Sequence, residues 1–197
     1  MRKSLGYEIF MTALVLVIIA GVAGAVLGLV NFVTQVDEGK LLTEKAEAFF
    51  GGTLEHYVAP EGFMREMAYD HADVIDVFQS TKDREAFVLI VEGEGAYKGT
   101  LQLLVNITDG TIKKIAKYKA NETPGLGSKA LEENYFKQFC GKRITPEFKG
   151  FTLVKGASSG SGEVSAISGA SKSSTAVTYA VNAAVKWYQH RIEGVAK

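Results

Sequence analysis

The sequence predicts an α+β domain, an antiparallel sheet with flanking helices, carried on a single N-terminal transmembrane helix. Three observations predict it: an apolar run near the N-terminus without an ionisable group, four β-rich segments separated by turn signals, and a long amphipathic stretch towards the C-terminus. Strands grouped together and followed by a helix describe an α+β domain.

From Ile9 to Val33 the chain reads IFMTALVLVIIAGVAGAVLGLVNFV, long enough to cross about 30 Å of hydrocarbon as a helix. Its apolar core exceeds the roughly 7 to 15 residues of a cleaved signal peptide, so it reads as a retained anchor. Arg2 and Lys3 precede the run, and Asp37 and Glu38 follow it. The positive-inside rule then keeps the N-terminus in the cytoplasm. The expected division is residues 1–36, a cytoplasmic N-terminus and membrane anchor, and residues 37–197, an extracytoplasmic domain tethered to the cell membrane. Gly21, Gly24, Ala25 and Gly28 share one helix face, where small residues admit a neighbouring helix. Glycine is also common in membrane helices, and both explanations stay open.

Past the anchor, KLLTEKAEAFFGGTL carries apolar residues at helical spacing and predicts a helix ending near Gly51 and Gly52. VIDVFQS (74–80), AFVLIVEG (86–93), LQLLVNI (101–107) and TIKKIAKY (111–118) are rich in β-branched and aromatic residues and predict antiparallel strands. Asp109-Gly110 between the last two accepts the positive φ of a primed hairpin turn. Ala130 to Gln138 predicts a short amphipathic helix, FTLVKG (151–156) a further strand, and Thr175 to Arg191 a longer helix. Val177, Ala180, Val181, Ala184, Val185 and Tyr188 form its apolar stripe.

Composition narrows the function. The 197 residues carry 22 basic and 22 acidic side chains, so no charge excess points to nucleic acid. The one cysteine, Cys140, closes no intrachain disulfide and reads as a buried apolar residue. His56, His71 and His190 lack metal-ligand spacing and read as structural or surface residues. No G-x-G-x-x-G opens a βαβ unit and no acid–base constellation stands out, which argues against direct nicotinamide or substrate chemistry.

The run GASSGSGEVSAISGAS, ahead of the C-terminal helix, is crowded with Gly, Ser and Ala. It opens onto a helix N-terminus, where free amides and the dipole favour an anion. Ser168, Ser171, Ser173 and Ser174 place hydroxyls there that also suit a cap. Composition leaves three readings open: a linker, a capped helix start, or a phosphate site.

Two segments taken together carry a resemblance. GEGAYKGTLQLLVNITDGTIKKIAKYKANETPGLGSK, from Gly93 to Lys129, and SAISGASKSS, from Ser165 to Ser174, resemble an FMN-binding domain found in two related subunits. These are the G subunit of the Rnf ion-translocating oxidoreductase and the C subunit of the sodium-pumping NADH:quinone oxidoreductase. The order of parts is also similar: anchor, glycine-tyrosine turn, hairpin, the Glu-Thr-Pro-Gly-Leu-Gly block at 122–127, the Gln138 to Lys142 stretch, then the attachment motif. The chain's length is closer to the Rnf subunit.

The resemblance implies FMN esterified through its phosphate to Ser171 by a dedicated flavin transferase, in the company of Ser168, Gly169, Ala170, Ser173 and Ser174. Ser171 stands where the family has threonine, Ser165 where it usually has aspartate, and Lys172 where an apolar residue is usual. Pro124 fixes φ while Gly125 and Gly127 permit unusual backbone conformations, so the loop can press Leu126 against a flat ring. Glu122 and Thr123 would offer polar contacts to the ring, Tyr97 would pack on its face or edge, and Lys129 closes the same segment. The implied function is electron relay through FMN, without an independent catalytic site. Its setting would be a ferredoxin:NAD oxidoreductase that moves sodium or protons, with other membrane and redox subunits as partners. A quinone-reducing complex, a membrane-tethered FMN-binding module without redox turnover, and a structural subunit are the alternatives.

Overall fold

The computed structural model describes residues 5–33, 38–58 and 69–195. The chain divides into two compact units, Met1–Leu41 and Leu42–Lys197. The first contains α1 (Leu5–Val33), which has the length and apolar character to cross a membrane. Its residues from Gly6 to Phe32 are exposed along their whole length, as a lipid-facing helix requires. Arg2, Lys3 and Asp37, on which the expected orientation rests, lie outside the described residues, as does the side chain of Glu38.

The second unit is a five-stranded antiparallel meander, β1 (Leu54–His56), β2 (Ala72–Ser80), β3 (Ala86–Ala96), β4 (Gly99–Thr108) and β5 (Thr111–Ala120), paired in that order. β3 is central and buried on both faces, which explains why its apolar residues run on without alternation. Phe87, Leu89 and Val91 point into the larger core beneath α4 (Ser171–Val195). Val88 and Ile90 point the other way, into a second cluster with Ala46, Leu42, Phe49 and Phe50 of α2 (Glu38–Phe50). Each helix thus covers one sheet face. The stripe read from the sequence of α4, Val177 through Tyr188, is buried as its spacing predicts. Asp109 and Gly110 take φ of 50° and 68° between the paired Thr108 and Thr111, the primed turn expected of Asp-Gly.

Several local expectations are corrected. The helix expected over 130–138 is broken into a 3-10 helix, Gly127–Leu131, and α3, Glu133–Phe136, because Glu132 between them is extended at φ −89° and ψ 149°. The strand expected over 151–156 shrinks to β6 (Thr152–Val154). It leaves the main sheet to pair in parallel with β7 (Glu163–Ser165), a strand hidden in the Gly/Ser run. That run is therefore no linker. The amides of Ser159 and Gly160 bind Glu163 Oε2 at 2.9 and 2.8 Å, and these bonds hold its carboxyl below the usual range. Cys140 is half-buried against the core rather than enclosed, and burial still pushes its thiol up, away from the reactive thiolate.

α4 begins at Ser171, ahead of the expected Thr175. It also packs unusually close to the sheet: a Cβ placed on Gly93 of β3 would lie 2.0 Å from the carbonyl oxygen of Ala176. This contact sets the height of the first turns of α4 over the sheet end.

Candidate functional site

Three segments distant in sequence meet at one end of the sheet. In the β3–β4 turn Ala96 pairs with Gly99, leaving Tyr97 and Lys98 as the tip, with Gly95 and Gly99 at φ of 80° and 105° to turn the chain. After β5, the carbonyl of Thr123 accepts bonds from the amides of Leu126 and Ser128, both at 3.2 Å, and winds the chain into the 3-10 helix. At the head of α4, Gly169 sits at φ 78°. Ala170 carries the first helical acceptor, taken by Ser174 N at 2.9 Å. The amides of Ser171, Lys172 and Ser173 lie ahead of that bond, where a helix leaves donors free.

Together the segments wall a cleft of about 430 Å3, within the span of about 300 to 1,000 Å3 usual for small-ligand sites. Tyr97, Glu122, Thr123, Leu126 and Gly127 form one side, and Gly169, Ala170, Ser171, Lys172 and Ser173 the other. Tyr97 and Leu126, 66% and 52% exposed, present apolar surface at its mouth. Ser171 and Lys172 are exposed at the head of the helix. No acidic residue occupies the first turn of α4, and Lys172 there opposes the helix dipole. An anion at this point would be welcomed by the free amides and the ammonium together. The arrangement suits a flat, partly apolar ring against Leu126 and Tyr97 with an anionic group at the head of α4.

Several residues expected at the site lie outside the cleft or are engaged by the protein itself. Gly125 is exposed and does not line the cleft; it takes φ 75°, and its amide is bound to Ser128 Oγ at 2.9 Å. Lys129 is exposed on the 3-10 helix, and Ser168 is exposed before the turn. Ser174 is 0% exposed and its hydroxyl accepts the amide of Ile167 at 3.1 Å, so it caps the approach to the helix from inside the core. Glu122 is engaged by the protein itself: Oε2 accepts Ser173 Oγ at 2.8 Å and Oε1 accepts Tyr97 N at 3.2 Å. Gly127 is not among the positive-φ glycines. Its lack of a side chain answers a shortage of space, since a Cβ there would lie 2.0 Å from Glu122 Oε2. Ser165 lies in β7, its amide bound to Gln138 Oε1 at 2.8 Å and its hydroxyl accepting Ser158 N at 3.0 Å. Ser128 and Gln138 brace this region without any signal in the spacing of the sequence.

A second cleft, of about 320 Å3, lies beside Tyr69, Phe148 and Tyr179. Two of its polar side chains already bind the protein: Asn182 spans the amide and carbonyl of Phe151 at 2.7 and 2.9 Å. Gln189 Nε2 donates to Thr145 O and Phe148 O, both at 2.7 Å. Among the described residues no group of three or more His, Cys, Asp or Glu is placed to hold a metal ion.

Residues 96–186, which contain the whole first cleft, match the FMN-binding domain family. Over 195 residues the chain is 30% identical to the G subunit of the Na(+)-translocating ferredoxin:NAD(+) oxidoreductase complex of Acetobacterium woodii, covering 92% of each protein. It is 36% identical over 102 residues to the G subunit of the proton-translocating ferredoxin:NAD(+) oxidoreductase complex of Clostridium ljungdahlii, covering 51% of this chain and 52% of that one. Among solved structures it is similar to NqrC of Shewanella oneidensis, with a TM-score of 0.48 and 21% identity over 70% of this chain and 69% of that one.

Proposed function

We propose, since the chain belongs to the G-subunit family of the ion-translocating ferredoxin:NAD(+) oxidoreductases, the Rnf complexes, that it relays electrons through FMN within such a membrane complex. The observation that carries this reading is the cleft itself, where an exposed serine hydroxyl at a helix head faces an apolar loop across a space of ligand size. FMN, when bound, supplies electron transfer, and the protein's part is to hold it and set its surroundings.

The donor set suits FMN. The amides ahead of Ser174 and the Lys172 ammonium would hold the phosphate, and Leu126 and Tyr97 would cover ring surface. Ser171 carries the phosphoester in this reading: its hydroxyl proton is lost, and an Oγ–phosphorus bond replaces the bond from phosphorus to the leaving group of the flavin-nucleotide donor. A flavin transferase is the maturation partner. α1 crosses the membrane with the N-terminus in the cytoplasm and the Leu42–Lys197 unit outside, where a covalent tether keeps the carrier loaded. The other membrane and redox subunits of the complex supply and accept the electrons.

In cells expressing the full chain with a flavin transferase, a flavin-fluorescent band is expected to persist through denaturation in detergent. Protease added outside intact cells is expected to shorten or remove it. A band that goes dark on denaturation removes the ester, and one that resists protease until the membrane is opened reverses the orientation.

Gly125→Val tests the loop separately. Valine at a φ near 75° costs about 1–3 kcal/mol and is relieved only by moving the loop. The visible spectrum of the flavin is expected to shift, or its content to fall, with α1 unaffected. An unchanged spectrum removes the loop from the site.

A further inference from the structure

We infer that Glu122 is a latch: its carboxylate joins the walls of the cleft and serves the flavin ring as a positioning residue, not as a direct contact, a role that presupposes the flavin-binding cleft proposed above. The loop that carries Leu126 follows β5, and the helix that carries Ser171 begins far along the chain. One carboxylate bridges them. Glu122 Oε2 accepts Ser173 Oγ at 2.8 Å, while Oε1 accepts the amide of Tyr97, from the β3–β4 turn, at 3.2 Å. Three segments are thereby held by one side chain, and an ionised acceptor makes both bonds stronger than neutral ones.

Two further observations support the latch. Ser173 is 1% exposed, so water cannot replace its partner if Glu122 is lost. Gly127 has no conformational need for glycine, yet a Cβ there would stand 2.0 Å from Glu122 Oε2 and 2.6 Å from Ser173 Oγ. The residue at 127 is thus explained by the pair it makes room for. Each oxygen holds a protein donor, and the carboxylate acts on a bound ring by fixing Leu126 and Tyr97 relative to Ser171.

The test uses the full chain with Ser173→Ala, Glu122→Ala, the Ser173→Ala/Glu122→Ala double variant and Glu122→Gln. Each is produced with and without the flavin transferase. Visible spectra and fluorescence are normalised to attached flavin measured by mass. Ser173→Ala and Glu122→Ala are each expected to shift the visible band and raise the fluorescence, with the double variant close to Glu122→Ala alone, because both remove the same link. Glu122→Gln keeps one acceptor oxygen and is expected to fall between wild type and Glu122→Ala. In flavin-free protein the Tyr97 amide is expected to exchange about five- to tenfold faster in Glu122→Ala, the change due to one lost hydrogen bond. A wild-type spectrum in Ser173→Ala alongside a shifted one in Glu122→Ala would mean that the bond joining the two walls positions nothing at the ring, and would overturn the latch. Additive effects would do the same. If the wild type carries no flavin, the flavin reading fails, and Tyr97 exchange alone decides the latch. Should Glu122→Ala not fold, Ser173→Ala and Glu122→Gln carry both comparisons.

Discussion

Ser171→Ala is expected to abolish the FMN adduct in the intact mass of protein coexpressed with a flavin transferase, whereas Ser171→Thr is expected to retain or increase it. Alanine leaves no oxygen to carry the ester; threonine keeps the oxygen and adds one methyl at an exposed position. The neighbouring hydroxyls cannot substitute. Ser173 is buried and donates to Glu122 Oε2 at 2.8 Å, and Ser174 is buried and accepts Ile167 N at 3.1 Å. Thr175 donates its hydroxyl back to Ser171 O at 2.9 Å, a bond internal to the helix. Ser168, exposed before Gly169, is the remaining decoy, and mapping the modified peptide separates it from Ser171. An adduct that survives Ser171→Ala places the ester elsewhere. A native protein that binds FMN without any adduct leaves the cleft standing and removes the ester.

What the sequence made legible was local or repetitive. The run of α1, the unbroken apolar core of β3 and the Asp109-Gly110 turn each depend on neighbours within a few positions, so propensity and periodicity expose them. β1 and β7 are three residues each, too short for any period to show. The first turn of α4 escaped for a different reason. Ser171 to Ser174 offer no apolar stripe, because Ser173 and Ser174 bury their hydroxyls in hydrogen bonds to Glu122 and Ile167. The site was legible only through its two motifs, which placed Leu126 and Ser171 together by resemblance. That Glu122 faces the protein, and that Gly127 answers a shortage of space, depends on a contact between positions 122 and 173 that nothing within either segment announces.

Gly93→Ala is expected to cost the domain about 3 kcal/mol, at the upper end of what overpacking a close contact costs, although residue 93 lies outside the cleft. The added Cβ would stand 2.0 Å from Ala176 O, 2.9 Å from Ala176 C and 3.1 Å from Ala180 Cβ. The first two are backbone atoms, so no rotamer change relieves the contact and α4 as a whole must lift from β3. For a domain of this size the loss corresponds to a fall in Tm of roughly 6–12 °C, read by thermal unfolding of the full chain in detergent. Gly194→Ala is the matched control. A Cβ at position 194 meets nothing within 4 Å, and alanine favours the helix over glycine, so its Tm is expected to equal or exceed that of wild type. The lift also reaches the site: Ala176 lies little more than one turn beyond Ser171, so moving it shifts the attachment hydroxyl relative to Leu126 and strains the Ser173–Glu122 bond. Adduct yield is therefore expected to fall in Gly93→Ala even below its melting temperature, and to stay at the wild-type level in Gly194→Ala. A Gly93→Ala protein that melts with the wild type would show that α4 does not rest on β3 at this distance, and the placement of Ser171 opposite the loop would lose its support.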